Sequence, residues 1–533
     1  MASGHLLYFI ARHSEFIFPH PKTADTMKKA FFLFVFGVIT LAAWGQPQSE
    51  WPQWQRDAAR TGRTAASVAP PFRARWFWLG PDLTLRNYAA NPAWPDDLET
   101  RGGYSFPVPS PYTVTIAKGV EPVVAAGRVF VGTQEGGVYG IRLNDGATLW
   151  SYDMGDPVIS TACADAQQVL FADVYGDIVA LDAATGQLRW SYTADRTIVT
   201  APLLLPEQNR VFLASHGGSV YCFEWSTGDL LWKVRLPAPV QGQLAATTAR
   251  LFVPAENMVV YAFDVQSGAL LAQKQLVGQS FRLTHPVVFA GKVWVTSCQI
   301  PMVGSEYVFD DVLAAAQTLA EEEALTRAFL RGQGGFNYAS PDWQHLFALD
   351  TATLDTAYLI PNGPVEGVGY PLAGVGITHN DLVVTWFRTR FPTLTHDRPA
   401  FGTDYPIDIA AIDPQTGNRI RIDNGKFTDM FPGPETDNLY IFTSGGEYLW
   451  LRQYFRGTQV IHLPTSEHTL AMATVRERDG GGFWADVVPY ENEANEPEFA
   501  QTPLEGKAAA VIVSGMVLLS EVGGILAIEH RND

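Results

Sequence analysis

Three cysteines, a few histidines and one run of glutamates are the residues whose types could carry redox, metal or acid–base chemistry in this chain. Cys163, Cys222 and Cys298 stand far apart, with no C-x-x-C, no C-x-x-C-H and no adjacent pair, so their spacing offers neither a dithiol centre nor a thiolate ligand set. They read as small buried apolar residues, and their odd number leaves at least one thiol unpaired. His216 sits in the turn Ser215-His216-Gly217-Gly218, and His285, His379 and His396 are scattered among loops. No H-E-x-x-H, P-loop, G-x-S-x-G or EF-hand pattern occurs. Gly367-Val368-Gly369 and Gly374-Val375-Gly376 look like pieces of a phosphate-binding loop, yet the first lacks the third glycine and neither opens a helix. They are read as strand and turn glycines. Glu321-Glu322-Glu323 could gather a cation, but on a predicted helix three acids are more simply a solvated face. No catalytic residue and no metal ligand is assigned.

The elements that would have to position any site are far more regular. Between Gly127 and Ala272 one pattern is written four times: Val138-Tyr139-Gly140-Ile141-Arg142 to Gly146 and Trp150; Ile178-Val179-Ala180-Leu181-Asp182 to Gly186 and Trp190; Val220-Tyr221-Cys222-Phe223-Glu224 to Gly228 and Trp232; and Val260-Tyr261-Ala262-Phe263-Asp264 to Gly268, with Ala272 where Trp would fall. The turn glycines recur every 40 to 42 residues. A fixed period of this size, built from short β-rich segments, predicts a β-propeller with one four-stranded blade per repeat. In each repeat an alternating apolar strand (Val129-Phe130-Val131, and its counterparts at Val169, Val211 and Leu251) precedes the patterned one. The glycine supplies positive φ in the turn that follows, and Trp four residues later suits the gap between adjacent blades.

The run from Gly176 to Tyr192, GDIVALDAATGQLRWSY, resembles the repeat of the pyrroloquinoline-quinone (PQQ) enzyme propellers, a repeat shared by the non-enzymatic BamB propellers. The resemblance implies eight blades, and eight strand pairs can be counted, at Val129, Val169, Val211, Leu251, Val293, Val383, Leu439 and Val517. Quinoprotein dehydrogenases carry a vicinal disulfide over the cofactor, and this chain has no Cys-Cys. Repeat membership does not itself confer activity.

With 533 residues, 47% hydrophobic, the chain can bury a large core, and a net charge of −18 argues against nucleic acid or an anionic membrane as the main partner. Residues 1–26 lack periodic pattern and read as an over-extended gene model. Met27-Lys28-Lys29, the apolar run Ala30 to Ala43 and the small residues before Gln46 read as a signal peptide over 27–45, the alternative being a short membrane anchor. Residues 46–71 resemble the leader of exported propellers of this kind (Trp51-Pro52-Gln53-Trp54-Gln55-Arg56-Asp57 to Thr61-Gly62) and are expected to pack across the propeller surface.

The propeller is expected over 72–533. The final blade stops where its outer strand should begin, so Phe72 to Trp78 is expected to supply that strand, with Trp76 or Trp78 in the blade-gap position. Insertions are expected near 80–118, 299–344, 388–406 and 464–506. The first is read as a long loop, and the second is expected to hold an amphipathic helix from 310 to 330 capped by Asp310 or Asp311. Strand direction puts all four insertions on one face. Their aromatics Trp94, Tyr104, Phe336, Tyr338, Trp343, Phe391 and Trp484 are candidates for a binding surface, or a cover for the channel mouth.

Two functions follow. One is an exported, periplasmic or extracellular, monomeric scaffold for an unidentified protein partner, without lipid anchor, cofactor, nucleic acid or stable membrane insertion. The other is a divergent PQQ-dependent, calcium-assisted alcohol-type oxidoreductase with the quinone in the central channel.

Overall fold

Runs of alternating apolar and polar residues broken by tight turns pair readily with their neighbours in sequence, and the computed structural model shows seven four-stranded blades built in this way and an eighth completed from a distant segment. It describes residues 50–530 apart from 87–103, 107–113, 298–304, 336–342, 365–373, 393–404, 421–438, 454–456, 473–474, 479–481, 486–507 and the single positions 118, 283, 406, 466 and 522. Seven sheets, each of consecutive strands, form blades 1 to 7 over 123–153, 163–193, 203–235, 245–275, 287–358, 376–420 and 439–472. Blade 8 combines 511–530 with Phe72–Trp78, which pairs antiparallel with Gly524–His530 as its fourth strand. Two ends of the chain thereby close one ring, and the exposed edges they would otherwise leave are paired.

The lock between blades is the same chemical device repeated. Asp182 accepts backbone amides from Ala184 (3.1 Å) and Thr185 (3.0 Å), starting a turn that Gly186 completes at φ +72°. A Cβ on Gly186 would lie 2.7 Å from the Trp150 ring of the preceding blade, so only glycine admits the indole. The same approach joins Trp190 to Gly228 and Trp232 to Gly268. Each indole nitrogen also donates across the gap to a backbone carbonyl: Trp150 to Ala183 (3.1 Å), Trp190 to Trp225 (3.2 Å) and Trp232 to Val265 (3.1 Å). Trp76, not Trp78, fills this position in the closing strand, lying against Gly146 and donating to Leu143 at 2.9 Å.

Blade 5 departs from the rule in a compensated way. Ala272 stands where blade 4 should present Trp, and Leu354 stands where blade 5 should present glycine. Leu354 keeps the left-handed turn at φ +61° and is fully buried, with Ala272 packed against the same cluster. The leucine fills from one side the space that the indole fills elsewhere. Tyr358 then takes the Trp position toward blade 6, lying against Gly417 and donating to the Pro414 carbonyl at 2.8 Å.

Four expectations need correction. The strand pairs counted in the sequence are the second and third strands of every blade but the seventh, where Leu439–Gly445 and Tyr448–Gln453 are the first and second and Gly457–His462 is the third. Alternating hydrophobicity does not number strands, and the acidic turn residue that does so in the other repeats is His462 here. The 80–118 segment contains the strands Thr84–Arg86 and Tyr104–Phe106, and 464–506 contains Glu467–Met472, Val475–Arg478 and Gly482–Ala485. The insertion after blade 5's second strand holds two helices, α1 (Ser305–Ala315) and α2 (Leu319–Leu330), the second capped by Thr318, which accepts from the Glu321 amide. Asp310 caps neither helix; it lies within α1 and pairs with Arg388. The leader, expected to pack across the propeller surface, instead bonds to innermost strands, as described below.

The compensation in blade 5 is testable by a double-mutant cycle. Leu354→Gly should destabilise by roughly 2 kcal/mol, since the lost burial exceeds the relieved φ strain. Ala272→Trp should destabilise by overpacking. Combined, they should cost less than the sum of the two, as read by urea melts.

Candidate functional site

Each blade presents an innermost strand whose free edge faces the axis, and residues 51–64 meet those of blades 1 to 5 and then blade 7. Trp51 and Val124 exchange backbone bonds in blade 1 (2.9 and 2.7 Å), and the Pro52 carbonyl accepts the Ala164 amide of blade 2 (2.7 Å). Gln53 Nε2 donates to the Leu204 carbonyl of blade 3 (3.0 Å) while its Oε1 accepts the Leu204 amide (2.9 Å). The carbonyls of Ala58 and Ala59 accept the amides of Ala246 in blade 4 (2.7 Å) and Val288 in blade 5 (2.8 Å). Arg63–Thr64 finally pairs in parallel with Ser444–Gly445 as an extra innermost strand of blade 7. A segment merely lining an open channel would expose its other side. Instead Trp51, Gln53, Trp54, Gln55 and Arg60 are all buried, so the leader fills the axis.

Two ionisable groups anchor this plug. Glu121, just before the first strand of blade 1, accepts from Trp51 Nε1 (3.1 Å), the Gln55 amide (2.9 Å) and Gln55 Nε2 (2.8 Å). Burial raises its carboxyl from 4.5 to about 7, against the pull of those bonds and of Arg60. The Arg60 guanidinium donates to the carbonyls of Leu244 (2.8 Å), Trp54 (2.6 Å) and Pro202 (3.2 Å), and burial lowers its pKa to about 10. His285 packs edge-on against Trp54, ring centroids 4.6 Å apart; burial holds it neutral, its pKa lowered to about 3, and its Nε2 has no hydrogen-bond partner. Sequence reasoning placed His285 in a loop, and nothing in its own neighbourhood signals an axial position.

The insertions all leave the blades from one end of the strands. In antiparallel blades the connection between second and third strands and the connection to the next blade share one end. The insertions after Trp78, after Thr296, after Arg388 and after Met472 are all of these two kinds. The first and last are joined, because Tyr104–Phe106 pairs with Gly482–Ala485 in a separate three-stranded sheet. The helical insertion instead turns down the outer wall. Glu322 is buried and accepts from Thr389 Oγ1 (2.7 Å), the Arg390 amide (2.8 Å) and Arg419 Nη2 (2.6 Å), while Arg327 reaches Asn418 in the third-to-fourth-strand turn of blade 6 (2.6 Å). Of the glutamate run, Glu321 is thus the solvated member, whereas Glu322 receives an arginine of the neighbouring blade.

Of the aromatic candidates, Trp343 packs on Phe329 of α2 at 5.0 Å, and Phe391 lies half-buried under Arg390 at 5.9 Å. Trp94, Phe336 and Tyr338, and the side chains of Tyr104 and Trp484, lie outside the described residues, as do His396, Cys298 and the expected signal segment. The structure therefore does not gather the seven into one described patch. His216 and His379 are exposed in turns, and Cys163 and Cys222 are buried thiols whose pKa burial raises. Among the described residues no three His, Cys, Asp or Glu side chains are placed to hold a metal ion, and no helix is long and apolar enough to cross a membrane.

Glu121 gives the plug a pH signature. A carboxyl raised on folding contributes stability that is complete below pH 4.5 and is lost as pH rises through about 7. The neutral His285 and His345 work oppositely, losing stability as pH falls below 6.5, but equally so in wild type and variant. The stability of wild type relative to Glu121→Gln should therefore fall by about 3 kcal/mol between those limits, measured by urea melts across pH. A flat difference would contradict the burial of this carboxyl under the leader.

Comparison with known proteins agrees with this architecture. A family model described as outer membrane protein assembly factor BamB, of the PQQ-like repeat type, matches residues 104–203 and 176–295. The chain is 26% identical over 125 residues to the outer membrane protein assembly factor BamB of Nitrosomonas eutropha, covering 21% of this chain and 31% of that protein. It is 24% identical over 186 residues to that of Shewanella oneidensis, covering 32% and 46%. It thus spans less than half the length of either relative. The crystal structure of BamB from Moraxella catarrhalis superposes with a TM-score of 0.47 at 12% identity, covering 78% of this chain and 98% of that one. Residues 104–295 thus carry repeats of the BamB-type, PQQ-like β-propeller kind.

Proposed function

We propose that this protein is an exported, monomeric, non-catalytic propeller that acts as a scaffold for a protein partner, with the insertion-bearing face as a docking surface. The observation that carries this reading is the filled axis. In the alternative, a quinone would lie in the central channel, and the described residues there do not fit one. Trp51 and Trp54 occupy the space, the Arg60 guanidinium is committed to backbone carbonyls, and Glu121 is committed to Trp51 and Gln55 of the leader. Opening the channel would break the leader's bonds to blades 1 to 5 together. Recognition is then left to surfaces outside the axis, and loops mounted on a rigid ring are suited to it.

The test is a titration of the purified protein with PQQ and calcium, followed by absorption, by the fluorescence of the axial tryptophans and by dye-linked alcohol oxidation. The expected result is no saturable spectral change and no turnover. A calcium-dependent quinone spectrum with substrate oxidation would establish the enzyme reading instead.

A further inference from the structure

Of the eight large hydrophobic side chains exposed among the described residues, seven lie on the outermost strands of blades. Six of these are leucines of blades 1 to 4: Leu149, Leu188, Leu230, Leu231, Leu270 and Leu271. Scattered surface leucines need no explanation, but a concentration on unpaired strand edges does, because such an edge is a ready template for another strand. Blades 5, 6 and 8 show the contrast. Blade 8's outer strand is covered by Thr84–Arg86, which pairs antiparallel along it, Trp76 with Arg86, Phe77 with Leu85 and Trp78 with Thr84. Beside blades 5 and 6, Arg327 of α2 reaches Leu359 and Asn418 next to their short outer strands. Among the described residues no strand pairs with the outer edges of blades 1 to 4.

Charge narrows the occupant. The outer strands of blades 3 and 4, Leu230–Arg235 and Leu270–Gln275, carry Lys233, Arg235 and Lys274 and no acid, in a chain whose net charge is −18. Asp195 pairs with Lys233 (3.7 Å) and Arg235 (2.7 Å), whereas Lys274 has no ion pair among the described residues. Two copies of the blade 4 edge would bring only lysines together, which disfavours self-pairing, and an acidic strand meets no such barrier.

We propose that the outer edge of blade 4, Leu270–Gln275, takes up an extended segment of a partner protein as a fifth strand. Its backbone would pair as Thr84–Arg86 does on blade 8. Its apolar side chains would cover Leu270 and Leu271, now 52% and 45% exposed, and its acidic side chains would meet Lys274. This surface lies on the outer wall rather than at the insertion-bearing face, so the proposal goes beyond the scaffold reading and stands or falls separately from any partner of that face.

The probe is a short synthetic peptide alternating valine with glutamate, added to the full-length protein and followed by anisotropy and by hydrogen exchange. Saturable binding should slow exchange of the 270–275 amides. It should weaken about tenfold in L270Q/L271Q and in K274E. L270Q/L271Q changes exposed side chains and K274E a half-buried one, and an unaltered melting temperature in each will separate lost binding from lost folding. A peptide N-methylated along one edge should fail to bind. The proposal is overturned if wild type does not bind, if the N-methylated peptide binds equally, or if protection appears only at the insertion-bearing face. It is also overturned if the protein alone self-associates through this edge in a way that L270Q/L271Q abolishes, since the occupant would then be a second copy.

Discussion

A ring of eight sheets leaves eight innermost strands with backbone donors and acceptors aimed at a narrow axis, and those groups must find partners. Buried unpaired amides cost about 1–3 kcal/mol each, so an axis lined with them would oppose closure. In this protein the segment just ahead of the closing strand supplies the partners, visiting blades 1 to 5 in order before pairing with blade 7. Leader and closing strand are continuous, so one stretch of chain both fills the axis and completes the last blade. The buried Glu121 and Arg60 follow from this arrangement: each is tolerable because it is bonded on several sides, Glu121 tying the leader to blade 1 and Arg60 tying it to blades 3 and 4.

Between the blades a second constraint operates, one of shape. The indole of one blade and the bare Cα of the next form a matched pair, and the pair changes together where it changes at all. Ala272 with Leu354 reverses which side provides the bulk, at the expense of a leucine in a left-handed conformation. That such strain persists indicates how strongly the gap must be filled.

Both constraints left unequal traces in the sequence. The Trp and Gly spacing exposed blades 1 to 4 directly, because each feature is a residue type that only one geometry favours. The closing strand was also legible, since Glu529 and the end of the last repeat left a fourth strand missing. Blade 7 was misnumbered because its turn opens on His462 rather than an acid. Leu354 was visible as a non-glycine at the turn position, and its link to Ala272 could have been read by comparing consecutive repeats. The path of the leader could not, because the hydrogen bonds accepted by the carbonyls of Pro52, Ala58 and Ala59 involve backbone that any residue possesses. The same holds for the site: His285 and Glu121 are ordinary in sequence and gain their character only from burial beside the leader.

The most direct test of the filled axis is native-state hydrogen exchange at amides whose partner is the leader: Ala164, Ala246, Val288 and Ser444, bonded to Pro52, Ala58, Ala59 and Gly62. If the leader is an integral part of the ring, these amides exchange only with global unfolding, as slowly as the central strands of their own blades. Fast exchange at these positions, with the central strands still protected, would show a leader that leaves the axis freely and would contradict the account.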